Sequence, residues 1–202
     1  MGGRIVVLIS GSGSNMEAIC DACEDGHIPA SVTAVLADRD CLGLQAAGKR
    51  DIPTEVVEPG DYEDRDSWSH ALLERVESYA PDLVVSAGFM RILSPEFVAA
   101  FQGRLINLHP SLLPAFPGAH GVREALEHGV KVAGSTVHFV DDQVDHGPII
   151  MQEAVRVEQN DTETTLHERI KNVEHRLLPR ACALFLEGKI RIEDGRVMVD
   201  QT

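Results

Sequence analysis

Asn107 and His109, two positions apart in the run RLINLHP, carry the side chains best suited to chemistry in this sequence. An amide that donates N–H and an imidazole that titrates near neutral pH make a clamp for the oxyanion of a tetrahedral acyl-transfer intermediate. In an extended strand successive side chains point to opposite faces. Ile106 and Leu108 can therefore enter a core while Asn107 and His109 project together on the other side. Pro110, Pro114 and Pro117 follow at once and stiffen the next loop, so the pair is held in place. The competing reading of the same residues is a capped strand end with no chemistry.

A carboxylate beside His109 would orient the imidazole and favour its charged form. DDQVDHGPI supplies three candidates, Asp141, Asp142 and Asp145, ahead of the turn Gly147-Pro148. Spacing does not choose among them, and a solvated acidic loop is the alternative. A second constellation is the turn Gly11-Ser12-Gly13-Ser14-Asn15 between the first apolar run and the first helical stretch. Backbone N–H groups and the helix dipole at such a turn favour a phosphate. A dinucleotide fingerprint needs a third glycine at position 16, where Met16 stands, so a mononucleotide-type phosphate fits better than NAD. The alternative there is a tight turn with no ligand.

Three smaller signals complete the set. His167, Lys171 and Glu174 share one polar face of a long helical stretch, an arrangement that is usually only solvated. Arg65 and Arg91 stand alone at element margins, where either could meet a carboxylate or a phosphate. Cys20-x-x-Cys23 falls inside a helix, away from a terminus that would lower a thiol pKa, and no second Cys/His pair at ligand spacing accompanies it. We read that pair as structural, and expect no metal.

The elements that must position these groups alternate between strand-like and helix-like. RIVVLI (Arg4 to Ile9), SVTAVLA (Ser31 to Ala37), TEVVE (Thr54 to Glu58), DLVVSAG (Asp82 to Gly88) and RLINL (Arg104 to Leu108) read as strands. Helices are expected between them. One carries Trp68, Leu72, Val76 and Tyr79 on one face behind an Asp66 cap, and another starts at Ser94-Pro95. Near-continuous apolar strands separated by helices predict an α/β fold, a doubly wound and mostly parallel sheet covered on both faces. A mixed C-terminal portion follows. It has a helix near Val122 to His128, strands at Gly134 to Val140 and Ile149 to Val157, a long helix from Thr162 to Leu186 bent at Pro179, and a terminal hairpin turning at Asp194-Gly195. One domain, 1–202, is expected, with a nucleotide- or phosphate-binding half, 1–103, and a catalytic half, 104–202.

Composition limits the partners. The 202 residues carry 32 acidic and 18 basic side chains, a formal net charge of -14, so a nucleic-acid-tracking surface is not expected. An anionic ligand must be held by local donors. Four cysteines in a chain of this length suit a reducing cytoplasm, and no stretch is long and apolar enough to read as a membrane span.

On these residues the chain resembles the phosphoribosylglycinamide formyltransferases. The resemblance runs through RIVVLISGSGSN, DLVVSAGFMRILSP, GRLINLHPSLLPAFPG, STVHFV, DHGPIIMQ and KNVEH, and AGFMRIL joined to N-x-HPSLLP is its most specific part. It implies a Rossmann-like formyltransferase fold and transfer of a formyl group from 10-formyltetrahydrofolate to the amine of phosphoribosylglycinamide, in purine biosynthesis. Carried over by position, Asn107, His109 and Asp145 form the catalytic group. Gly13, Ser14 and Asn15 cradle the ribonucleotide phosphate, and Lys171 to Glu174 close on the ribonucleotide. Arg65, Met90, Arg91, Ile92, Leu93, Asn107, Val140, Asp141 and Asp145 line the folate site.

The same resemblance implies a cytoplasmic monomer or homodimer acting on small molecules. Its nearest rival is a 10-formyltetrahydrofolate hydrolase, in which water replaces the amine. Such enzymes carry an extra N-terminal regulatory domain, whereas this chain is expected to begin at its first strand. Methionyl-tRNA formyltransferases add a C-terminal tRNA-binding domain that is not expected here. A catalytically silent nucleotide-binding module has no use for a titratable group beside an amide donor.

Overall fold

In the computed structural model, which describes residues 2–200, the opening apolar run forms β1 (Gly3–Ile9), an interior strand of a seven-stranded sheet. Met1, Gln201 and Thr202, the outermost residues of the expected 1–202 domain, lie outside the described residues. Strands β2 (Ala30–Ala37), β3 (Thr54–Val56), β4 (Leu83–Ser86) and β5 (Leu105–His109) run parallel to β1. Strands β6 (Val132–Phe139) and β7 (Ile149–Arg156) complete the sheet antiparallel, in the order β3-β2-β1-β4-β5-β6-β7.

Helices cover both faces. Ile5, Val7 and Ile9 point into one core with α1 (Ser14–Glu24), α2 (Leu42–Gly48) and α6 (Glu163–Leu186). Val6 and Leu8 point into the other, against α3 (Arg65–Ser78), α4 (Pro95–Ala100) and the buried Trp68. That is why β1 has no polar alternation: both of its faces are dry. A third apolar cluster joins α5 (Gly121–Glu127) to α6 through Val122, Leu166 and Ile170.

The order reverses between β1 and β4, where the chain leaves β1 first toward β2 and later toward β4. A crevice outside the carboxyl ends of strands is expected at such a reversal. The glycine-rich turn leaves the end of β1 there, and the Gly88–Leu93 segment leaves the end of β4.

Several expectations need adjusting. The Leu42–Gly48 helix was not foreseen, because LGLQAAG is short and holds two glycines. Its Gly43 is required by contact: a Cβ there would come 2.5 Å from Ile9 Cδ1 and 3.0 Å from Gly13 Cα. The α3 cap is Asp64 rather than Asp66, since Asp64 stands three residues before Ser67 and exchanges hydrogen bonds with it. Asp66 lies in the first turn. The α6 helix runs through Pro179 without a break. The hairpin β8 (Ile190–Glu193) and β9 (Arg196–Val199) turns at Asp194 and Gly195, both with positive φ, as the sequence predicted.

At its start α6 has a reciprocal cap, the Thr162 hydroxyl accepting from Thr165 N and the Thr165 hydroxyl accepting from Thr162 N. Thr162→Ala should cost ~1 kcal/mol. The thermal midpoint should then fall by about 2–4 °C for a domain of this size, measured by calorimetry. An unchanged midpoint would mean that packing alone fixes this helix end.

Candidate active site

His109, the last residue of β5, is 5 % exposed, and both of its ring nitrogens are engaged. Nε2–H donates to the Phe116 carbonyl at 2.8 Å. Nδ1 lies 3.3 Å from Asp145 Oδ2. The carbonyl accepts from Nε2–H, and Nδ1 stands at ion-pair distance from the carboxylate. Asp145 Oδ2 also accepts from Gly118 N at 2.7 Å, and Asn107 Nδ2 donates to Asp145 Oδ1 at 3.4 Å. Amide, imidazole and carboxylate therefore converge.

Burial would raise the Asp145 carboxyl, but the His138 ring beside it, the Gly118 N–H and the His109 charge outweigh that and hold it below the ordinary carboxylate value. Asp145 reaches this place from a left-handed backbone, φ 52. Two residues on, Gly147 lets the loop turn back hard against the end of β6, where a Cβ would collide with the Phe139 carbonyl. The other two acidic candidates point elsewhere. Asp141 pairs with His146 at 2.8 Å, and Asp142 is exposed.

A residue not singled out from the sequence stands directly across the sheet. The antiparallel register places His138 opposite Asn107, and its Nε2 lies 3.2 Å from Asn107 Nδ2. His138 Nδ1–H donates to the Phe139 carbonyl, and its Nε2 also lies 3.7 Å from Asp145 Oδ1. The Asn107 NH₂ thus lies beside both His138 and Asp145. The STVHFV motif held this signal, but only the strand register gives it meaning.

On the phosphate side, Gly13 takes a left-handed φ of 78 and precedes α1, whose first-turn N–H groups open toward the crevice end of β1. Asn15 Nδ2 donates to Glu174 Oε2 at 3.0 Å, and the Ser135 hydroxyl lies 3.2 Å from Glu174 Oε1. Glu174 is 3 % exposed, so this part of the α6 face is not merely solvated. Burial and the neighbouring Lys171 both push His167 down. Lys171 itself is half-buried. The Cys20 and Cys23 thiols are free and burial pushes them up, to about 12 and about 11, values suited to packing and not to reactivity.

A cleft of about 470 Å³ gathers Arg65, Met90, Arg91 and Ile92 with Tyr62 and Trp68. Met90 and Ile92 are exposed there although apolar. Leu93 and Val140 instead pack against the core around Trp68. Arg65 stays exposed, 3.6 Å from Asp66. Arg91 does find a carboxylate, but one unforeseen from the sequence: its Nε donates to the buried Asp38 at 2.6 Å. All residues of this cleft precede position 103.

Comparison with known proteins shows the family and the fold. The formyl transferase family matches residues 3–182. A phosphoribosylglycinamide formyltransferase of Mycobacterium tuberculosis is 51 % identical over 180 residues, covering 89 % of this chain and 83 % of that protein. The crystal structure of glycinamide ribonucleotide transformylase 1 from Symbiobacterium toebii superposes with a TM-score of 0.96 at 49 % identity, over 98 % of this chain and 94 % of the other. A formyltetrahydrofolate deformylase from Pseudomonas syringae has the same fold, TM-score 0.92, at 27 % identity; all of this chain covers 67 % of it.

Proposed function

Because the chain belongs to the formyl transferase family, we propose that it transfers the formyl group of 10-formyltetrahydrofolate to the amine of 5'-phosphoribosylglycinamide, a step of purine biosynthesis. The observation that carries this reading is the convergence of Asn107, His109 and Asp145 at the end of β5, with His109 Nδ1 3.3 Å from Asp145. The substrate amine attacks the formyl carbon, and the carbonyl oxygen gathers negative charge. Nε2–H of His109, which otherwise meets the Phe116 carbonyl, turns to that oxygen, and the Asn107 amide supplies a second donor. Asp145 balances the imidazolium. The new C–N bond forms, the bond to folate N10 breaks, and the proton lost by the amine passes to N10 through water held near Asp145.

Gly13, Ser14 and Asn15 take the phosphate, and Lys171, three residues before Glu174 on α6, adds charge. Asn15 Oδ1 is buried without a hydrogen-bond partner, which suits a donor on the ribonucleotide. Glu174 holds Asn15 in place. Arg65, Met90, Arg91 and Ile92 line the cleft for the folate, with Leu93, Val140 and Asp141 at its margins. In the same reading the enzyme acts on small molecules in the cytoplasm as a monomer or homodimer, with residues 1–103 taking the phosphate and residues 104–202 the catalytic centre. Among the described residues no helix is long and apolar enough to cross a membrane.

The deciding experiment follows formylfolate consumption with and without the ribonucleotide. Consumption that requires the ribonucleotide and yields its N-formyl product supports the transferase. Equal consumption in its absence, with release of formate, would make the chain a hydrolase.

A further inference from the structure

Asp38, at the carboxyl end of β2, is 1 % exposed and takes no part in the chemistry above. A buried carboxylate is expensive unless it is well paired. Here Arg91 Nε donates to Oδ2 at 2.6 Å, and Arg39 donates through Nη2 at 2.8 Å and Nε at 3.3 Å. Although burial would raise the carboxyl, these arginines and the Ser10 hydroxyl bring it down to about 2, so it is ionised at any working pH. Ser10 is the residue between β1 and the phosphate turn, and its Oγ accepts from Met90 N at 2.9 Å.

The connections are specific. Two consecutive residues of the cleft segment, Met90 and Arg91, are tied to Ser10 and Asp38, while the next side chain, Ile92, is exposed. Phe89 stacks on Trp68 with centroids 6.2 Å apart, and Ser94 N donates to Ser69 at 3.0 Å. Those two contacts anchor the segment to α3. The Ser10 and Asp38 contacts lead back toward the ribonucleotide turn. On its other side that turn is pinned to α2, through Gly43 N donating to the Gly11 carbonyl at 3.0 Å.

We propose that Asp38, acting with Ser10, is a positioning residue that couples the two substrate sites: ordering of the Gly11–Asn15 turn by a phosphate fixes the Met90–Leu93 segment for the folate, and folate binding fixes the turn in return. The idea rests on the functional reading above. Its physical basis is that the Met90–Arg91 stretch hydrogen-bonds both Ser10, the residue that leads into the turn, and the buried Asp38 beside it, so neither loop can shift without disturbing these bonds. Coupling of this kind must be reciprocal.

Calorimetric titration tests it with two probes, phosphoribosylglycinamide and a folate analogue that carries no transferable formyl group. In the unmodified chain, saturating ribonucleotide should tighten the analogue by about 5-fold or more, the lower end of common coupling. In Asp38→Asn and in Ser10→Ala that ratio should fall below about 2-fold, and the KM for formylfolate should rise by about 10-fold while kcat falls far less. A side chain needed only for folding would lower stability or the active fraction without erasing the ratio.

A ratio near unity in the unmodified chain, or one preserved in Asp38→Asn, overturns the proposal. Should Asp38→Asn fail to fold, the ratio in Ser10→Ala decides alone, because that variant leaves the Asp38 ion pairs intact. If the unmodified chain binds neither probe, the functional reading falls and the coupling with it. Binding of both without coupling removes only the latter.

Discussion

His109→Ala should lower kcat by about 10²–10⁴ while the protein still folds, because it removes both an oxyanion donor and the charge that Asp145 balances. The imidazole lies 3.3 Å from the carboxylate through one nitrogen and offers an N–H with the other. Its loss leaves Asp145 with donors from Gly118 and Asn107, so the carboxylate is not stranded. Circular dichroism should therefore match the unmodified protein. Single-turnover formyl transfer reads the chemical step directly, and near-normal turnover in a folded variant would remove His109 from the mechanism. His109→Gln makes the contrast sharper, since it can keep a hydrogen bond to the Phe116 carbonyl but not the charge.

The next largest effect belongs to Asp145→Asn, expected to cost about 10²-fold in kcat and to move the alkaline limb of the pH–kcat profile toward lower pH. An imidazolium deprived of its counter-charge gives up its proton more readily, so the charged form is lost earlier as pH rises. Stability follows a separate rule. The folded Asp145 carboxyl lies below its ordinary value, near ~3.9 in an unfolded chain. Its contribution is therefore present above that value and lost as pH falls through the folded one. The Asn variant lacks this contribution, and its thermal midpoint should decline less steeply in acid than that of the unmodified chain. An unchanged rate profile would mean that the pairing with His109 does not matter to catalysis.

What could be read in the sequence was what depends on local periodicity. The parallel strands are continuous apolar runs, and the alternation in RLINLH by itself puts Asn107 and His109 on one face. The choice among Asp141, Asp142 and Asp145 was not legible without the family resemblance. It depends on a left-handed residue and on Gly147 folding the loop against a carbonyl, neither of which leaves a periodic trace. Glu174 was placed on a polar helical face, yet helix packing buries that position, and its partners lie 39 and 159 residues away. Asp38 and His138 escaped notice for a related reason. Each sits near a strand end, and its meaning comes from a partner that the sheet order supplies.

The antiparallel pairing of β5 with β6 makes strand length as constrained as residue identity. Asn107 faces His138 while Leu108 faces Val137, so polar and apolar cross-strand pairs alternate along this seam. Deleting Thr136 with the upstream half of β6 held in register would exchange the two sets, delivering Phe139 to the Asn107 amide and the His138 imidazole to Leu108. Natural drift in this enzyme can therefore lengthen its surface loops with little penalty, but insertions or deletions at this seam must come in pairs.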